Sequence, residues 1–183
     1  MKKSNNITLR CAAVLMATTL ISTLSAETSA LPNSPVPAAR ADMSELSHSD
    51  RAFIEKAAKG GMKEVDVSQA VEGRLTDPQV KSFAQMMVTD HTAANTELAS
   101  LAARKGVTLP MDNMKASEKW AKKDKDLDED YVKEMKSDHE DAVKLFEKAT
   151  KSDDADIAAF ASKTLPTLQH HLSVVTDLKK MEK

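Results

Sequence analysis

Apolar residues recur in alternating fours and threes along four stretches of the chain, the spacing of one buried stripe on an α-helix. The first predicted helix begins near Ser47 or Ser49 and runs to about Gly73, with Phe53, Ala57, Gly60, Glu64, Val67 and Val71 on its seam. Gly60, one turn before the carboxylate, leaves room for a close neighbour. The second helix starts at Thr76-Asp77-Pro78-Gln79. There Thr76 or Asp77 caps, Pro78 is tolerated in the first turn and Gln79 completes a box with Thr76. It runs to Lys105, closed by Gly106 in the left-handed conformation, and its seam is Val80, Ala84, Met87, His91, Ala94, Leu98 and Leu101. The third starts at Asp126 or Asp128, where Leu-Asp-Glu-Asp sets acids at the positive end of the helix dipole, and carries Met135, His139, Ala142, Phe146 and Ala149. Ser152-Asp153-Asp154 restarts the chain as the fourth, with Ile157, Ala161, Thr164, Leu168, His171, Val175 and Leu178 on its seam and a kink expected at Pro166.

The stretch from Gly106 to about Asp126 contains Pro110 and a charged segment around Trp120 that predicts a short helix. It is long enough to cross a helical bundle from end to end, with Trp120 covering one end of the core and Lys119, Lys122 and Lys123 on a solvated face.

Composition agrees with an all-α fold: helix formers dominate, while the 183 residues include four glycines and six prolines. Aromatics make up 3% of the chain, too few for a platform of stacked bases. Residues 1–30 have the form of an export signal, with Lys2, Lys3 and Arg10 before the apolar run Cys11–Leu24 and cleavage expected after Ala26 or Ala30. That run is too short to span a bilayer comfortably, and the mature chain carries no other candidate span. Residues 31–48, rich in Pro, Ser and Ala, predict a flexible linker that includes a solvated His48, and residues 49–181 the folded domain. The expected location is the periplasm or cell envelope. Cys11 is the only cysteine, so the mature domain has no disulfide and depends on its core or a ligand. Without residues 1–30 the basic count falls from 26 to 23 and the acidic count from 28 to 27, a net charge of 23 − 27 = −4. That balance argues against nucleic acid or anionic lipid as partner and leaves an envelope protein as the partner class.

A local repeat singles out the chemistry. Phe83 to His91 reads FAQMMVTDH, and 48 residues later Tyr131 to His139 reads YVKEMKSDH. The aromatic, the Met and the His share one helical face in both copies. Each predicted helix thus places one ligand-competent side chain on its seam: Glu64, His91, His139 and His171. Imidazoles and a carboxylate facing one another inside a bundle suit one transition-metal ion; the same groups also suit a buried polar layer in which they satisfy one another and fix register. A fold-back near residue 76 sets Glu64 and His91 about 4–5 Å apart in height, whereas a fold-back near 152 leaves His139 and His171 about 10 Å apart. His171 is therefore the weakest of the expected ligands. Asp90 and Asp138 either orient an imidazole or pair with surface lysines, the latter being the simpler expectation. Met87 and Met135 are core residues whose thioethers would suit copper, and His170 faces off the seam toward solvent.

The segments DRAFIEKAAKGGMKEVDVSQ, FAQMMVTDHTAANTELASLAARKGVTLP, DLDEDYVKEMKSDH and FASKTLPTLQHHL, spanning about Asp50 to Leu178, resemble a domain-of-unknown-function family of exported bacterial proteins. The resemblance implies a ferritin-like four-helix bundle with a long connection between the second and third helices, located in the bacterial envelope, and no established activity. Di-iron members of that fold use Glu-x-x-His pairs; here Val88, Lys136 and Leu168 stand three residues before the histidines, so di-iron chemistry is disfavoured. No nucleophile–base pair and no phosphate-binding glycine loop is evident. The expected function is a binding module for one transition metal through His91, His139, Glu64 and His171, acting in envelope stress tolerance. The alternatives are a structural or interaction module with a buried His/Glu layer, or an oxidoreductase acting on peroxide or oxygen, which needs open metal coordination and a substrate channel.

Overall fold

Local signals set the helix boundaries in the computed structural model, which describes residues 46–109 and 116–181. Ser47 Oγ accepts the Asp50 N–H at 3.1 Å and opens α1 (His48–Glu72). His48, expected in the linker, is the exposed first residue of this helix. Asp77 opens α2 (Pro78–Arg104), its carboxylate accepting from Gln79 N at 2.7 Å and Val80 N at 3.2 Å. Thr76 is not the cap: its N–H and hydroxyl both donate to Asp128, so the expected box with Gln79 is replaced by a tie between helices. Gly106, at φ +64°, ends the α2 segment in the left-handed conformation. The connection onward contains α3 (Ala116–Ala121), followed by α4 (Leu127–Ala149) and α5 (Ala155–Met181). Asp154 caps α5 through the Asp156 and Ile157 N–H groups, and that helix continues through Pro166. The expected export signal and nearly all of the expected linker lie outside the described residues.

The described residues form an all-helical fold. α1 packs on α2 and α4, and α5 packs on α4 and α2. Asp128, in the first turn of α4, accepts the N–H groups of Thr76 and Asp77 at 3.0 Å, so α4 begins at the end where α1 turns into α2. At the opposite end Ser152 donates to Asp50 at 2.7 Å and Lys105 pairs with Asp154 at 2.6 Å. The end of α2 and the start of α4 therefore lie at opposite ends of the helices. On the way α3 lies against α1, with Ser117 N donating to Asp66 at 3.0 Å and Arg74 Nη1 to the Trp120 carbonyl at 2.8 Å. Trp120 is buried against Tyr131 and closes that end of the core.

Two apolar clusters fill the bundle. One gathers Phe53, Ile54, Leu98, Leu101, Phe146 and Phe160; the other gathers Val67, Phe83, Met87, Tyr131, Met135 and Val175. Between them along every long helix stands one buried polar side chain: Glu64, His91, His139 or His171. The repeat thus places its aromatics and methionines in the second cluster and its histidines at the boundary. Gly61, not Gly60, permits the close approach: a Cβ at Gly61 would lie 2.2 Å from Asn95 Oδ1, whereas Gly60 faces open space. No described helix is long and apolar enough to cross a membrane.

Candidate metal centre

The three histidine rings form a nearly equilateral triangle, with centroids 5.5 Å apart for His91–His139 and 5.3 Å for the other two pairs. One nitrogen from each ring lies within 4.8 Å of the others. His171, expected to lie too far along its helix, is thus a full member of the cluster. Glu64 sits beside the triangle, its Oε2 3.1 Å from His91 Nδ1 and its Oε1 3.5 Å from His139 Nδ1.

The neighbours of each ring fix where its proton sits. His139 Nδ1 lies 2.9 Å from the Met135 carbonyl, which only accepts, so Nδ1 is the protonated nitrogen and Nε2 holds the lone pair. His171 Nε2 lies 2.9 Å from Asp90 Oδ2 and donates to it, leaving the lone pair on Nδ1. These two free nitrogens, His139 Nε2 and His171 Nδ1, face each other at 3.3 Å. Neutral rings held in those tautomers put two acceptors together with no proton between them. The third ring adds His91 Nε2, which is buried and has no hydrogen-bond partner. Orphaned buried nitrogens of this kind are uncommon in native proteins.

Burial controls the charges. It pushes His91 down to about 3, with His139 and His171 adding to the effect. Burial also lowers His139, to about 4 against the opposing bond from Met135, and lowers His171 against the bond to Asp90. The imidazoles are therefore neutral near pH 7 and carry no proton that a metal would have to displace from an imidazolium. Glu64 moves the other way, to about 8, first through burial and then through the nearby Asp138 carboxylate. These shifts give the metal-free protein a pH optimum. Below about 6.5 the unfolded chain takes up histidine protons that the core refuses, so stability falls as pH drops. Above about 4.5 the folded Glu64 keeps a proton that the unfolded chain loses, so its contribution falls as pH rises toward 8. Between those values the histidines outnumber the single carboxyl, and the melting temperature in the presence of a chelator is expected to peak near pH 6.5. A melting temperature still climbing from pH 6.5 to 8 would contradict a protonated Glu64.

The two aspartates of the repeat differ. Asp138 pairs with Lys63 at 2.8 Å, as the simpler expectation had it. Asp90 instead holds His171, on a helix other than its own neighbour's, a role that the sequence left open. His170 is exposed, as expected. The sequence did not reveal the Ser68–Tyr131 hydroxyl pair at 2.7 Å, which satisfies the tyrosine of the second repeat copy inside the core.

A cavity of about 410 Å³ opens beside the cluster, and Glu64, Asp90, His91 and His171 are among the residues that line it. Its remaining wall is mainly apolar, with Leu98, Phe146, Phe160 and Leu168.

Residues 34–178 match the family described as domain of unknown function (DUF4142). No curated protein matches the chain. Among solved structures, the crystal structure of a DUF305 fragment from Deinococcus radiodurans is similar in fold, with a TM-score of 0.65, 9% identity and coverage of 74% of this chain and 98% of that one. The structure of CopM in the Cu(I)-bound form is similar in fold, with a TM-score of 0.62 and 13% identity, covering 72% of this chain and 95% of that one. At those identities the likeness is one of fold.

Proposed function

Because the chain belongs to the family described as domain of unknown function (DUF4142), whose name assigns no activity, we propose a function from the site itself: the protein binds one transition-metal ion through His91, His139 and His171. The observation that carries this reading is the pair of free imidazole nitrogens facing each other at 3.3 Å. Two nitrogens bound at about 2.0–2.1 Å to one tetrahedral or trigonal ion stand ~3.3–3.6 Å apart, so this edge of the triangle has ligand spacing. One nitrogen of His91 lies within 4.8 Å of the other two, so a small side-chain rotation completes the set.

Glu64 acts from behind His91. When the ion binds, Glu64 gives up the proton it holds in the metal-free protein, and as a carboxylate it accepts Nδ1–H and leaves Nε2 free for the ion, the arrangement by which a neighbouring carboxylate fixes a ligand's tautomer. Asp90 does the same for His171. Copper(I) fits the charge of the fully buried groups best: three neutral imidazoles, one monovalent ion and the Glu64 carboxylate sum to zero, whereas the Asp90 carboxylate is 38% exposed and keeps its own solvation, and burying a net charge is costly. Met87 and Met135, one turn before two of the ligands, add soft donors to the neighbourhood. The structurally similar CopM, known in a Cu(I)-bound form, supports the same ion. The connectivity is read as a ferritin-like four-helix bundle with one end-to-end connection, and the site of action as the periplasm or envelope, where a copper-binding bundle would serve stress tolerance.

The test is elemental analysis and metal titration of untagged protein prepared from the periplasm, alongside His91→Ala, His139→Ala and Asp90→Asn. One equivalent is expected in the parent protein and a loss of stoichiometric binding in both histidine variants. Asp90→Asn weakens affinity by about 10–100-fold, since an amide N–H facing His171 Nε2 favours the wrong tautomer. A metal-free parent protein, or histidine variants that bind as well as the parent, would refute the reading.

A further inference from the structure

The seams of the four long helices are buried along their length except at one position on each. Gly60 is exposed, and Ala94, Ala142 and Thr164 are half-buried. All four line the cavity of about 410 Å³. They lie on one side of the polar layer, toward the end where Ser152 donates to Asp50. On the other side of that layer the seams carry Val67, Met87, Met135 and Val175, each fully buried. The space is therefore set by side-chain size, one layer of small residues against a neighbouring layer of valines and methionines. At Gly60 even an added Cβ would meet nothing within 4 Å. Protein cores seldom keep voids much larger than a water molecule, because the groups lining them forgo contacts. This cavity has more than ten times the roughly 30 Å³ that one water occupies, and falls within the roughly 300–1,000 Å³ of small-molecule sites.

The wall and its charges define the occupant. Beyond the small residues the cavity is walled by Leu98, Phe146, Phe160 and Leu168, all buried. The ionisable groups that line it are already matched: Lys63 pairs with Asp138 at 2.8 Å, Asp90 accepts from His171 at 2.9 Å, Asp141 pairs with Lys144 at 3.3 Å, and Glu64 sits between His91 and His139. Lys56 is exposed, so its ammonium keeps its water and offers a ligand little. A charged ligand would lose hydration on entry and gain no new partner, whereas a neutral one pays no such penalty. We propose that the cavity bounded by Gly60, Ala94, Ala142 and Thr164 is a binding site for a neutral, mainly apolar small molecule of one- or two-ring size. The apolar wall holds the ligand body, and Asn95 and Thr164 offer neutral polar groups to orient one polar atom of it. The site is independent of metal binding, since nothing in it requires contact with an ion or with a histidine nitrogen.

The experiment uses the purified protein with a chelator present, so that its outcome does not depend on the metal. Three probes sharing one ring system are titrated calorimetrically: indole, which is neutral, indole-3-acetate, which is anionic, and tryptamine, which is cationic. Saturable binding of one equivalent of indole is expected, at least about tenfold tighter than either charged probe. Ala142→Leu, which fills the cavity from α4, is expected to weaken indole binding at least about tenfold without lowering the melting temperature. Ala94→Leu makes the same test from α2. Methyl NMR of the parent protein gives a readout that needs no variant: indole is expected to shift the methyl resonances of Ala94, Leu98, Ala142 and Leu168 and to leave those of Val67 and Val175 in place. No saturable binding of indole, equal binding of a charged probe, undiminished binding in a folded cavity-filled variant, or shifts centred on Val67 and Val175 would each overturn the proposal.

Discussion

One equivalent of Cu(I) is expected to raise the melting temperature of the protein by about 10 °C, and a chelator should return it to the metal-free value. A ligand present at 1,000 times its dissociation constant stabilises the state it binds by about 4 kcal/mol. For a folded unit of this size each kcal/mol moves the midpoint by roughly 2–4 °C. The rise should be large here because the four long helices each contribute one of Glu64, His91, His139 and His171, so the ion ties together elements that otherwise meet through two separate apolar clusters. Differential scanning calorimetry at fixed free metal reads the effect directly. A shift below about 2 °C at saturation, or an equal shift in His139→Ala, would mean that the metal binds elsewhere or not at all.

How far this site was legible in the sequence varies from residue to residue. The alternating spacing placed Glu64, His91, His139 and His171 on buried seams, and all four are buried. The short α1–α2 turn also made the Glu64–His91 register readable, because residue 77 lies midway between them. His139 and His171 escaped that estimate. Ten residues separate His139 from the end of α4 and sixteen separate the start of α5 from His171, a mismatch of roughly 9 Å in helix rise. Side chains lean toward the N-terminus of their own helix, however, and these two helices are antiparallel, so the two imidazoles lean toward each other and close much of that gap. Comparing Cα heights alone misses this. The Asp90–His171 bond depends on α2 packing beside α5, which no local pattern states. Gly60 and Gly61 are both compatible with the helical period, and only the position of Asn95 distinguishes the glycine that must lack a side chain.

Replacing the pair Glu64→Met and His91→Leu together is expected to raise the stability of the metal-free protein by about 1–3 kcal/mol while abolishing stoichiometric metal binding. The two changes remove a buried carboxyl group, which is costly to desolvate, and the orphaned His91 Nε2, which has no partner in the core. They preserve approximate volume, and the remaining rings keep their own partners, His139 on the Met135 carbonyl and His171 on Asp90. His91→Ala by itself has the opposite sign, a loss of about 2–4 kcal/mol, because it leaves a hole and strands Glu64. The double variant separates the two readings that the sequence allowed. If the polar groups exist to hold a metal, the apolar pair gives a more stable, well-packed protein that has lost its ligand. If they exist to fix the register of the helices, the same pair lowers the melting temperature or yields a protein with poorly dispersed methyl resonances and exposed apolar surface. Thermal melts with the metal chelated, together with methyl NMR spectra of parent and variant, decide between stability that rises with function lost and packing that fails.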